Sequence, residues 1–144
     1  MLLKDPSLLR QQCYINGLWC DAESKETVAI ANPATGAVIA SVPVMGQVET
    51  QAAIKAAEAA LPAWRALTAK ERGAKLRRWF ELLNENSDDL ALLMTTEQGK
   101  PLAEAKGEVT YAASFIEWFA EEAKRIYGDT ITGHQGDKRL MVIK

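Results

Sequence analysis

Up to Met45 apolar residues alternate with polar ones, and from Gln47 onward they recur every three or four positions. The chain therefore reads as a strand-forming front followed by helices. The strand signal is strongest around Asn16-Gly17, which Gln12-Cys13-Tyr14-Ile15 and Leu18-Trp19-Cys20 flank. Both central positions of a type I′ turn need positive φ, so a two-residue hairpin is predicted there. Its register pairs Ile15 with Leu18, Tyr14 with Trp19 and Cys13 with Cys20. Tyr14 and Trp19 then occupy a non-hydrogen-bonded pair, where side chains approach closest, and the cysteines face each other at the wider pair on the opposite face. A second hairpin is predicted over residues 27–31 and 38–42, joined by the turn Asn32-Pro33-Ala34-Thr35-Gly36.

In the helical part, Ile54 and the alanines at 52, 53, 56, 57, 59 and 60 predict a helix that stops near Pro62, which lacks the N–H to continue it. Thr68-Ala69-Lys70-Glu71 is a capping box: the Thr hydroxyl accepts from the Glu71 N–H and the Glu side chain reaches back. The helix it opens carries Leu76, Trp79, Phe80 and Leu83 on one stripe. Ser87, Asp88 and Asp89 start a further short helix, favoured by acids near the positive end of the dipole, and Gly99 ends it. Pro101 opens the longest helical stretch, predicted to close at Gly128 with a kink or break at Gly107. Thr130-Ile131-Thr132, a Gly/His/Asp-rich turn and Arg139-Leu140-Met141-Val142-Ile143-Lys144 return to strand character. The sequence ends inside that last strand with no turn or partner after it. An unpaired strand leaves its backbone N–H and C=O groups open, so the chain is expected to be the front piece of a larger protein.

At 144 residues, with 48% apolar and 25% charged, the chain has the size and balance of one soluble domain. A net charge of −2 speaks against a nucleic-acid or membrane-surface binder, because both usually carry a basic excess. No apolar run approaches the roughly 20 residues of a membrane span. Met1-Leu2-Leu3-Lys4-Asp5-Pro6 lacks the apolar stretch of a signal peptide, so a cytoplasmic protein without a membrane partner is expected. Two cysteines and one histidine, with no CxxC or Cys/His cluster, give no zinc site. In a reducing cytoplasm the cysteines are expected to be small apolar residues.

No catalytic constellation is legible. Neither cysteine sits at a helix N-terminus or beside a basic run that would favour its thiolate. His134 lies in a polar turn, where a solvated side chain is expected. No GxGxxG or Walker-type loop occurs, so no catalytic or cofactor-binding residue is assigned. Arg65, Lys70, Arg72, Lys75, Arg77 and Arg78, with Trp64 and Trp79 nearby, offer a rival reading as a helical interaction or nucleic-acid-binding module. Glu71, Glu81 and Glu85 interleave with them, however, which favours a solvated face with i,i+4 pairs. Tyr111, Phe115, Trp118 and Phe119 fall at i, i+4, i+7 and i+8. A stripe of that spacing is expected to be core; the alternative is that part of it lines a substrate channel.

Five stretches, in order along the chain, resemble the N-terminal part of the aldehyde dehydrogenase superfamily: Ile15-Asn16-Gly17-Leu18-Trp19, Asn32-Pro33-Ala34-Thr35-Gly36, Pro62-Ala63-Trp64-Arg65, Glu97-Gln98-Gly99-Lys100-Pro101 and Tyr127-Gly128-Asp129-Thr130-Ile131. Residues 97–108 and 112–130 are particularly similar to its bacterial NADP-dependent succinate-semialdehyde dehydrogenases. The resemblance implies an α/β family fold, of which this chain supplies the N-terminal β-hairpins, a helical layer of the coenzyme-binding domain and the start of a β-arm. It divides the chain into residues 1–128, an incomplete coenzyme-binding domain, and residues 129–144, a truncated arm through which subunits form homo-oligomers.

The implied activity is oxidation of a small aldehyde, succinate semialdehyde to succinate, with NADP or NAD as cofactor. The family's chemistry uses a cysteine thiolate, an asparagine amide that holds the oxyanion and a glutamate that activates water. Those residues lie beyond the equivalent of Lys144 in the family, so the 144-residue chain alone is expected to be inactive and to bind no coenzyme. Two assignments carry over: Ile30 and Glu97 match backbone ligands of a structural monovalent cation, and Tyr111, Phe115 and Trp118 match the helix that contributes to the substrate tunnel. The chain departs from the subfamily at Leu18, where an acidic residue is usual, and at Thr132, where proline would fix φ at the entry to the arm. Exposed apolar surface on the helical layer is expected, with self-association as a consequence.

Overall fold

The structure is a computed structural model that describes residues 2–143. After a 3₁₀ turn at Pro6–Leu8 come β1 (Cys13–Ile15), β2 (Leu18–Cys20), β3 (Thr27–Ala31) and β4 (Val38–Pro43). Four helices follow: α1 (Gln47–Ala66), α2 (Ala69–Glu85), α3 (Ser87–Gln98) and α4 (Leu102–Glu122). Strands β5 (Asp129–Thr132) and β6 (Arg139–Val142) end the described part. Among the described residues the strands form three separate antiparallel pairs, β1–β2, β3–β4 and β5–β6.

The first hairpin has the predicted register, with Asn16 at φ 50° and Gly17 at φ 82°. Tyr14 and Trp19 bring their ring centroids to 5.2 Å. In the second, the Asn32 side chain accepts from the Ala34 N–H at 2.9 Å and Gly36 sits at φ 70°, which together close the turn. A register shift at Ile30/Ala31 marks a bulge. The capping box that opens α2 is complete: the Thr68 N–H donates to Glu71 Oε2 at 2.8 Å and the Glu71 N–H donates to Thr68 Oγ1 at 3.3 Å. α1 is capped in a way the sequence reading missed, its Glu49 carboxylate accepting from the Gly46 N–H at 2.9 Å and from the Glu23 N–H at 2.8 Å. That one side chain ties the exit of the first hairpin to the helical part, and these N–H groups hold its pKa below the usual carboxylate range.

Helices α2, α3 and α4 pack together, and the core they share is built from small residues. Ala91, Ala105 and Val109 form its buried cluster, with Leu90 and Met94 against it. Ala113 and Ala120 extend the seam along α4, and Gly73 of α2 lies so close that a Cβ there would meet the Ala120 carbonyl oxygen at 2.8 Å. Short side chains let the helix axes approach, at the cost of the area that larger ones would bury. The accessible surface is 10647 Å². A folded monomer of 15.8 kDa would expose about 7,300 Å². α1, 20 residues long, buries none of them.

Several expectations are corrected. α1 runs through Pro62 to Ala66, because proline's φ is helical and only one i→i−4 bond is lost so near the end. α4 is continuous through Gly107, where a Cβ would meet nothing within 4 Å, and it ends at Glu122, not Gly128. Gly128 answers a different need: a Cβ there would lie 2.2 Å from the Val142 carbonyl oxygen, so it lets the two arm strands meet. Trp79 leaves the predicted α2 stripe and is 52% exposed, whereas Leu76, Phe80 and Leu83 are half-buried. The last strand is not unpartnered: β6 pairs with β5, Ile131 opposite Leu140 and Thr130 opposite Met141. Lys144, included in the predicted strand, and Met1, at the start of the predicted leaderless terminus, lie outside the described residues.

Candidate functional site

α4 presents two faces, because residues three and four apart share a side. Ala105, Val109, Ala113 and Ala120 turn inward, and Tyr111, Phe115, Trp118 and Phe119 turn outward. The expectation of an aromatic core stripe is therefore overturned: Tyr111 is 62% exposed, Phe115 46%, Trp118 64% and Phe119 58%. The rings are ordered among themselves. Tyr111 and Phe115 meet edge to face, centroids 4.8 Å apart at 82°, the arrangement ring quadrupoles favour. Beside Phe115, Trp118 and Phe119 lies an open depression of about 620 Å³, edged by Ser114, Glu117 and Glu121.

Glu117, on the rim, is held by Arg77 of α2 at 2.8 Å, and the Arg77 guanidinium lies 4.8 Å above the Phe80 ring. Arg78 pairs with Glu85 at 2.9 Å and Glu81 at 3.5 Å. Arg77 and Arg78 are thus answered by acids of α2 and α4, the arrangement a solvated helix face shows. His134 is exposed in the turn between β5 and β6.

Ile30 is half-buried on β3 opposite Ala40, next to the bulge. Glu97 is exposed in the last turn of α3. The structure brings their segments together, since a Cβ at Gly99 would sit 3.0 Å from Pro33 Cγ. Gly99 takes φ 77° and its N–H donates to the Thr95 carbonyl at 2.9 Å, ending α3 in the left-handed conformation glycine permits. The Thr95 hydroxyl in this turn is buried with no hydrogen-bond partner among the described residues. Among the described residues no group of three His, Cys, Asp or Glu is placed to hold a metal, and no helix is long and apolar enough to cross a membrane.

The start of α3 holds a constellation the sequence reading took only as dipole compensation. Asp89 is buried, and its two oxygens accept from the backbone N–H groups of Lys4 at 3.0 Å and Asp5 at 2.8 Å. Asp88 beside it binds Lys106 of α4 at 2.7 Å and the Lys4 ammonium at 2.8 Å. Hydrogen bonds from Lys106 and then Lys4 hold the Asp88 carboxyl at about 2, below its ordinary 3.8. The N-terminal segment is thereby fastened across the α3–α4 seam. The signal in the sequence was the Asp-Asp pair; its partners at Lys4 and Asp5 lie 84 and 85 residues away and leave no local trace.

Comparison with known proteins places this geometry. The model of the family described as "Aldehyde dehydrogenase family" matches residues 19–144. The chain is 75% identical over 144 residues to glutarate-semialdehyde dehydrogenase of Pseudomonas putida, covering 100% of this chain and 30% of that protein. It is 68% identical over 144 residues to the NADP⁺ succinate-semialdehyde dehydrogenase GabD of Escherichia coli strain K12, again covering 100% of this chain and 30% of the relative. Among solved structures it is similar to an E. coli NADP-dependent enzyme, with TM-score 0.94 and 68% identity over 99% of this chain and 30% of that one. The chain spans about 30% of the length of the relatives it matches.

Proposed function

This chain belongs to the aldehyde dehydrogenase family, and we propose that it serves an NAD(P)-dependent enzyme that oxidises succinate semialdehyde to succinate. The observation that carries this reading is its identity, along all 144 residues, with dehydrogenases of dicarboxylic semialdehydes. A second reading, glutarate semialdehyde, draws on the 75% identity with the P. putida enzyme. The two substrates differ by one methylene, which discriminates by roughly 10–200-fold in a fitted pocket. The ratio of kcat/KM for the two aldehydes, measured on the full-length protein from its source with NADP and with NAD, decides between them. Preference for succinate semialdehyde supports the first reading and the reverse supports the second. Turnover of neither sinks both.

Within that enzyme the outward face of α4 is assigned to the aldehyde: Tyr111, Phe115 and Trp118 form one wall of the substrate passage, excluding water and orienting an extended chain. When bound, the nicotinamide coenzyme supplies the hydride acceptor. The chain's share of the work is read as positioning, and the 144-residue chain by itself is expected to give no aldehyde-dependent NADPH. Residues 1–128 are read as part of the coenzyme-binding domain, and residues 129–144 as an arm that joins subunits in a cytoplasmic homo-oligomer. All eight residues of β5 and β6 are exposed, including Ile131, Leu140, Met141 and Val142, which supports that role. The oxygens of Ile30 and Glu97 are assigned to a monovalent cation that pins the Asn32-Pro33 turn to the end of α3. Exchange of potassium for a bulky organic cation should then lower the melting temperature of the full-length protein, and an unchanged value would remove the assignment.

A further inference from the structure

Both cysteines of this chain lie in one place, the first hairpin. Its two cysteines are Cα partners across β1 and β2, both thiols are free, and both are half-buried, so neither is sealed from solvent. Cys20 Sγ donates to the Leu18 carbonyl at 3.5 Å, and no covalent or metal partner competes for either sulfur among the described residues.

The pair sits two positions from the turn on each strand, which makes it a hydrogen-bonded pair. Opposed Cα atoms at such a pair are about 5.5 Å apart, inside the roughly 4.4–6.8 Å span of disulfides. Their Cβ atoms, at the wide end of about 4.5–5.5 Å, stand up to ~1 Å further apart than a relaxed disulfide prefers. Closure therefore draws the strands inward and stores strain. The sheet can yield, because among the described residues it has only two strands, of three residues each. A bond that can form but is strained has a higher reduction potential than a structural disulfide, so a cellular thiol pool reopens it.

We propose that Cys13 and Cys20 are a reversible dithiol–disulfide pair, closed by a peroxide and reopened by glutathione. One thiolate attacks the peroxide O–O bond, taking one oxygen as a sulfenic acid and releasing the first water. The other thiolate attacks that sulfenic sulfur, the S–S bond forms as the S–O bond breaks, and the second water leaves. Two thiols thus lose two protons and two electrons, and hydrogen peroxide is reduced to two waters. The disulfide staples the hairpin whose exit Glu49 ties to α1, so oxidation would tighten the junction between the strand and helical parts.

The test uses the whole protein, treated with hydrogen peroxide, alkylated and digested with trypsin. Both cysteines fall in the single peptide of residues 11–25, between Arg10 and Lys25. The expected product is that peptide lighter by two hydrogens and unalkylated, restored to the doubly alkylated form by reduced glutathione at cellular concentration. Cys13→Ser and Cys20→Ser variants should lose the internal bond and instead take up glutathione as a mixed disulfide. Full alkylation of both thiols after peroxide, peptides joined between two chains, or a bond that glutathione leaves intact would each overturn the proposal.

Discussion

The two faces of α4 carry opposite kinds of residue for their exposure. The inward face is alanine and valine, closely packed on α2 and α3; the outward face is tyrosine, phenylalanine and tryptophan, about half or more exposed. Residue size and burial are thus inverted along one helix. Close approach of helix axes needs small side chains, and Gly73 against Ala120 sets how near α2 comes. Large rings left outside have area available for a further surface, which agrees with the excess of about 3,300 Å² over a folded monomer of this mass. The seam holds the chain together, and the aromatic face is the part free to serve a ligand or a neighbouring surface.

If that division is right, substitutions on the two faces of α4 must fail differently. The largest effect is expected from Gly73→Val, whose side chain has no room beside the Ala120 carbonyl. Overpacking there should cost about 1–3 kcal/mol, read as a lower urea midpoint with an unchanged slope. Near-neutral behaviour would mean that the seam is looser than its contacts imply. Asp89→Ala comes next. It strands the N–H groups of Lys4 and Asp5, a loss of about 1–3 kcal/mol, and amide exchange at residues 4 and 5 should quicken sharply.

Asp88 offers a finer probe of the same seam. Its folded pKa is depressed to about 2, so the stabilisation from Lys106 and Lys4 is complete above the ordinary 3.8 and is lost as pH falls from there through about 2. Melting temperatures measured across that window should fall less steeply for Asp88→Asn than for the parent. Because these groups are exposed, salt should shrink the difference. The smallest effect on stability belongs to the outward face. Phe115→Ser and Trp118→Ser should change unfolding free energy by no more than about 0.5 kcal/mol while reducing self-association and binding of apolar dyes. A large loss of stability there would return the aromatics to the core and dissolve the distinction.

The sequence by itself determined what is local. Asn16-Gly17 specified a hairpin and its register, because few residue pairs tolerate two successive positive φ angles. Thr68 and Glu71 specified the start of α2 through side chains three residues apart, and the run of acids at 88 and 89 marked the start of α3. Helix ends were less legible. Pro62 was read as a stop although a helix loses only one bond there, and Gly128 as a cap although its reason is a strand carbonyl fourteen residues on. The candidate site was legible as a stripe but not as a face: spacing puts Tyr111, Phe115 and Trp118 on one side of a helix without saying which side is buried. Tertiary structure decided that, because the turn of α4 about its axis follows from where α2 and α3 can come closest, against the alanines. It also decided the fastening of Lys4 and Asp5 to Asp89, since a hydrogen bond between groups 84 and 85 residues apart exists only once the chain has folded.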